Sequence, residues 1–105
     1  GPVMMFGLGG VMVELFKDVT LRRVPVSLET AQEMIRSIRA WPLLDGYRGS
    51  AKADHDALAD VIVKVSELAA ANADIVEAIE INPLRVMPAG QGTICLDAVI
   101  QTRGT

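Results

Sequence analysis

The sequence predicts an α+β domain, an antiparallel sheet of about five to six strands with two helices on one face. Three observations carry this. Short runs rich in Val, Met and Phe open the chain, two segments with helical spacing fill its middle, and two apolar runs around a Gly-rich turn close it. Strands do not alternate with helices, which disfavours a doubly wound parallel sheet.

The opening runs are Val3 to Phe6 and Val11 to Phe16, set around Gly7-Leu8-Gly9-Gly10 in the pattern of two strands joined by a glycine turn. A third run, Val19 to Val26, follows the Lys17-Asp18 turn. Gly1-Pro2 reads either as native sequence or as the scar of a cleaved tag. Ser27 can cap a helix whose apolar set is Leu28, Ala31, Met34, Ile35 and Ile38, and the helix should stop before Pro42. From Trp41 to Ser50 there is turn chemistry without period, a loop of about a dozen residues. The clearest helix starts near Asp54 or Asp56, carries Leu58, Val61, Ile62, Val65, Leu68 and Ala69 on one face, and ends at Asn72. Ile75 to Asn82 is strand-like and Leu84 to Met87 continues beyond Pro83. Ala89-Gly90-Gln91-Gly92 then turns, and Thr93 to Gln101 returns.

A chain of 105 residues has the size of one domain, 1–105, and falls short of the two lobes that would close over a cleft. Hydrophobic residues make up 50% and charged residues 22%, enough apolar surface to offset the entropy of ordering. The formal net charge is −3 and the basic residues are scattered, so nucleic acid is a poor partner, since its backbone calls for a clustered basic face. No apolar run approaches the roughly 20 residues that span a bilayer, and no signal peptide is visible, so a soluble cytoplasmic protein without membrane contact is expected. Cys95 is the single cysteine and sits between Ile94 and Leu96, which reads as an inert buried thiol. Met4, Met5 and Met12 read as core filler. His55, beside two Asp residues, reads as a helix-start residue rather than a metal ligand or a phosphorylated histidine.

The last hairpin holds the chemistry. Alternation along a strand puts Glu80 and Asn82 on one face and Ile79 and Ile81 on the other, and Asp97 faces away from Leu96 and Ala98 in the same manner. If the four-residue turn pairs Pro88 with Thr93, Leu84 stands opposite Asp97 and Asn82 is its diagonal neighbour, at about 7 to 8 Å. Two short side chains from that distance can each place an oxygen about 2.1 Å from one magnesium ion, provided Pro83 introduces no bulge. Taken alone, the residues favour the plainer reading, because Asn-Pro commonly starts a turn and a lone Asp on a strand face is usually solvated.

Ile79-Glu80-Ile81-Asn82-Pro83-Leu84, followed after a short turn by Ile94-Cys95-Leu96-Asp97-Ala98, closely resembles the end of the ATP-grasp fold in succinyl-CoA synthetase beta subunits and ADP-forming acetyl-CoA synthetases. Met5-Phe6-Gly7-Leu8-Gly9-Gly10-Val11, with Val13-Glu14, Lys17-Asp18 and Arg22 after it, is similar to a block of the acyl-CoA synthetase branch. So is Leu43-Leu44-Asp45-Gly46-Tyr47-Arg48-Gly49, with Ala57-Leu58-Ala59 beyond it. The resemblance covers nearly the whole chain and favours a native Gly1-Pro2.

It implies that Asn82 and Asp97 coordinate the Mg2+ of a bound nucleotide, ATP/ADP or GTP/GDP, and that Glu80 lies near the phosphate and a phosphohistidine loop. Gly9 and Gly10 would approach a phosphate through backbone amides or form a hairpin turn, the turn being favoured because no helix follows. Glu14 and Arg22 would touch nucleotide or partner, or stand as surface charges, and Arg48-Gly49 would meet another domain or simply turn. The resemblance further implies the C-terminal ATP-grasp subdomain of a larger acyl-CoA synthetase. Its partners would be an N-terminal ATP-grasp lobe and CoA-binding and ligase domains, and alone it would not be catalytic. The rival expectations are a non-catalytic interaction or regulatory domain, able to form a homo-oligomer through an edge strand, and the ATP-grasp part of an acetyltransferase fusion.

Overall fold

Alternation in the first strand decides which face of the sheet is covered: Met4 and Phe6 are fully buried, while Val3 and Met5 are half-buried on the other side. The computed structural model describes residues 1–7, 19–39, 41–46, 54–86, 88, 90 and 94–104, with the backbone alone for 43–44, 82–86 and 94–97. Among these, four strands, β1 (Val3–Gly7), β2 (Val19–Arg23), β3 (Val76–Val86) and β4 (Ile94–Thr102), form one sheet in the order β2-β1-β3-β4. Three helices, α1 (Leu28–Ser37), α2 (Trp41–Leu44) and α3 (His55–Ala71), lie between β2 and β3 in sequence.

The α+β class and the two long helices follow the sequence expectation. The sheet itself is mixed. β1 pairs antiparallel with β2 and β3 antiparallel with β4, but β1 and β3 run parallel. The physical reason is the helical connection: it carries the chain from β2, on one side of β1, to β3 on the other, and only such a long crossover can join parallel neighbours. The expected strand at 11–16 lies outside the described residues. The loop expected from Trp41 begins with the single turn α2.

Both helix starts are capped as their sequences suggest. Ser27 Oγ accepts from the Thr30 N–H at 3.1 Å, and Asp54 Oδ1 accepts from the Ala57 N–H at 3.0 Å. Ala31, Met34 and Ile35 of α1 and Leu58, Ala59, Ile62 and Ala69 of α3 are buried in one cluster with Met4, Phe6, Ile79 and Ile81. The helices therefore cover the even-numbered face of β1 and the odd-numbered face of β3. Leu28 and Leu68, expected on the apolar faces, are exposed by 46% and 58%.

One buried polar residue ties the layers together. The Ser66 hydroxyl, fully buried, accepts from the Val26 N–H at 3.0 Å and donates to the Val63 carbonyl at 2.7 Å. Replacing Ser66 by Ala leaves the Val26 amide without its acceptor inside the fold. The expected cost is about 1–3 kcal/mol, read as a lowered midpoint in urea with unchanged slope.

Candidate functional site

The helix-free face of the sheet carries Val3 and Met5 from β1, Ala78 and Glu80 from β3, and their cross-strand partners Gln101 and Val99 from β4. Together with Leu21 these residues border an open depression of about 190 Å³, in which Glu80 is the charged residue. Closed small-molecule pockets measure about 300–1,000 Å³, so this depression does not by itself enclose a small molecule.

β3 pairs with β1 from Ala78 to Ile81, and β1 ends at Gly7, one residue past the Phe6 and Ile81 pair. From Asn82 onward β3 and β4 continue as a two-stranded ribbon among the described residues. At that junction Asn82 stands directly opposite Asp97. This corrects the diagonal arrangement expected from the turn. The register shifts between Pro83 and Arg85, so that Leu84 is an extra residue on β3. Proline has no N–H for the ladder and is confined to edges and bulges, which is why the irregularity falls beside Pro83. Direct opposition brings the two Cα atoms to about 4.5–5.5 Å, closer than a diagonal pair.

Opposed residues of an antiparallel pair share a face, and alternation keeps Asn82 on the face of Glu80. The structure thus gathers Glu80, Asn82 and Asp97 on the helix-free face, with Glu80 half-buried between Met5 and Val99. Asn82 and Asp97 offer one amide and one carboxylate, hard oxygen donors that suit magnesium when phosphate and water complete its shell. Among the described residues no group of three or more His, Cys, Asp or Glu could hold a metal.

Arg22 does not join them. It pairs with Met4 and so belongs to the helix side, where its guanidinium donates to Thr20 Oγ1 at 3.0 Å and to the Leu21 carbonyl at 2.7 Å. Gly9, Gly10 and Glu14, like Arg48-Gly49, lie outside the described residues. His55, the first residue of α3, meets the Trp41 ring edge-on with centroids 5.2 Å apart, and its Nδ1 is 3.7 Å from Asp56 Oδ1. The Cys95 side chain lies outside the described residues. No helix among those described is long and apolar enough to cross a membrane.

Subunit beta of the ADP-forming acetate–CoA ligase II of Pyrococcus furiosus is 41% identical over 104 residues, 99% of this chain and 44% of the relative. Subunit beta of ligase I from the same organism is 54% identical over 84 residues, 80% of this chain and 36% of the relative. The chain therefore spans less than half the length of these curated relatives. A crystal structure of a Pyrococcus horikoshii protein superposes with a TM-score of 0.78 at 36% identity, over 96% of this chain and 42% of that one. The dinucleotide forming acetyl-coenzyme A synthetase 1 of Ca. Korarchaeum cryptofilum, in complex with coenzyme A and Mg-AMPPCP, superposes with a TM-score of 0.75 at 38% identity, over 94% of this chain and 45% of that one. The profile of the ATP-grasp domain matches residues 1–102, and with nearly the whole length so covered the chain belongs to the ATP-grasp domain family.

Proposed function

We propose that residues 1–105 are a single unit, the C-terminal lobe of the nucleotide-binding ATP-grasp domain of an NDP-forming acyl-CoA synthetase. As a whole such an enzyme interconverts acyl-CoA, nucleoside diphosphate and phosphate with free acid, CoA and nucleoside triphosphate, passing the phosphoryl group through a histidine. The observation that carries this reading is the register that sets Asn82 against Asp97 on the open face. A soluble cytoplasmic setting fits this role.

In this reading Asn82 and Asp97 hold the magnesium of the nucleotide. The bound metal would offset charge on the phosphates during transfer. Glu80, on the same face, stands toward the phosphate and the phosphohistidine segment. The Mg-AMPPCP complex of the Korarchaeum relative supports a magnesium nucleotide as ligand. The rest of the nucleotide site, the CoA site and the phosphorylated histidine come from an N-terminal lobe and from CoA-binding and ligase domains. The chain alone binds nucleotide weakly and makes no thioester.

Titration of the chain with ATP, with magnesium and then with the metal chelated, tests this. Affinity should rise with magnesium. Equal binding in both conditions, or CoA thioester synthesis by the chain on its own, would sink the assignment.

A further inference from the structure

The bulge that aligns Asn82 with Asp97 has a second effect farther along β3. Alternation on β4 runs unbroken from Val99 through Asp97 to Cys95, so the next position on the open face toward the hairpin tip is Cys95. Its partner across the ladder is Arg85. In an unbulged β3 the residue on that face would be Leu84, and Arg85 would fall on the helix side with Ile79 and Ile81. The extra residue shifts the phase by one. It brings a cation onto the face of Glu80, Asn82 and Asp97, about 7 Å along β4 from the Asp97 position.

No other described cation has this placement. Arg22 pairs with Met4 on the helix side, and Arg23 pairs with Val3 at the opposite end of the open face. Arg36 and Lys64 lie on the helices, Arg39 between α1 and α2, and Arg103 follows β4 and donates to the Ala73 carbonyl at 3.2 Å. The face meanwhile carries two carboxylates, Glu80 and Asp97, which repel a phosphate chain unless positive charge stands nearby. A guanidinium is suited to that place because its planar fork matches phosphate oxygens.

We propose that Arg85, which the Leu84 bulge places on the face of Asn82 and Asp97, is a phosphate-binding residue of this site. The inference rests on the magnesium-nucleotide reading above and adds a residue to it.

The test is nuclear magnetic resonance titration of the isotopically labelled chain with three probes: Mg-ATP, inorganic phosphate with magnesium, and adenosine. Arg85→Ala and Arg85→Gln should weaken Mg-ATP about 10-fold and leave adenosine unchanged. Arg85→Lys should recover part of the loss. Arg36→Ala, which removes the same charge from the helix layer, should change nothing. A parallel loss of inorganic phosphate identifies a site that takes phosphate from either source; a loss confined to Mg-ATP ties Arg85 to the nucleotide. Unchanged Mg-ATP affinity in the Arg85 variants overturns the proposal, as does an equal loss in Arg36→Ala, which marks an effect of net charge. If the unaltered chain binds no Mg-ATP, both this proposal and the nucleotide reading fall. If Asp97→Ala abolishes binding while Arg85→Ala and Arg85→Gln retain it, only the role of Arg85 falls.

Discussion

Asp97→Ala is expected to lower the magnesium-dependent affinity for ATP about 100-fold, close to 2.7 kcal/mol, without disturbing the fold. The size follows from the donor set. Asn82 and Asp97 stand opposite one another, and of the two only Asp97 carries charge, so its loss leaves a neutral amide that competes poorly with water for a divalent cation. Asp97→Asn keeps an oxygen and removes the charge, and should fall between the parent and the Ala variant. The informative control is ATP with magnesium chelated. In the proposed arrangement Asp97 reaches the phosphates only through the metal, so metal-free affinity should hold or rise slightly as a repulsive carboxylate disappears. Equal losses with and without magnesium would instead assign Asp97 a structural or direct role and remove it from the metal site.

The helices were legible because burial repeats with their own period. Leu58, Ile62 and Ala69 occupy the covered stripe of α3, and Ser27 and Asp54 cap where short oxygen-bearing side chains precede an apolar run. Alternation likewise assigns Glu80 and Asn82 to one face from the sequence alone. Register was harder. It depends on how many residues each strand spends between turn and core, and a bulge beside Pro83 changes that count by one. The proline was the available sign, since a proline inside a strand demotes it to an edge or a bulge. Following that sign alone would have set Asn82 against Ala98; the other residue of the difference lies toward the tip, where Val86 stands opposite Ile94 rather than Cys95. The parallel pairing of β1 with β3 left no mark on either strand, because a five-residue strand reads the same whichever way its neighbour runs. Ser66 was hidden for another reason: its partner, the Val26 amide, is 40 residues away, and no local pattern announces a hydrogen bond of that span.

Phe6→Ala should come close to unfolding the chain. Phe6 is fully buried on β1, a strand with a neighbour on each side, opposite Thr20 of β2 and Ile81 of β3. Truncating a buried phenylalanine costs about 3–5 kcal/mol through lost transfer energy and the cavity left behind. A domain of this size has roughly 5–15 kcal/mol in total, so the variant would retain little margin and lose roughly 12 °C or more in melting temperature. The site should register the damage even where the variant still folds. Ile81, the cross-strand partner of Phe6, immediately precedes Asn82, so the last described rung between β1 and β3 adjoins the ribbon that carries the site. Phe6→Leu keeps most of the volume and should cost less while preserving Mg-ATP binding. Phe6→Ala, measured below its own midpoint, should bind Mg-ATP more weakly than Phe6→Leu. If the two variants bind alike despite different stabilities, the core under β1 holds the fold together but does not set the register of Asn82 with Asp97, and the ribbon's own ladder must do so.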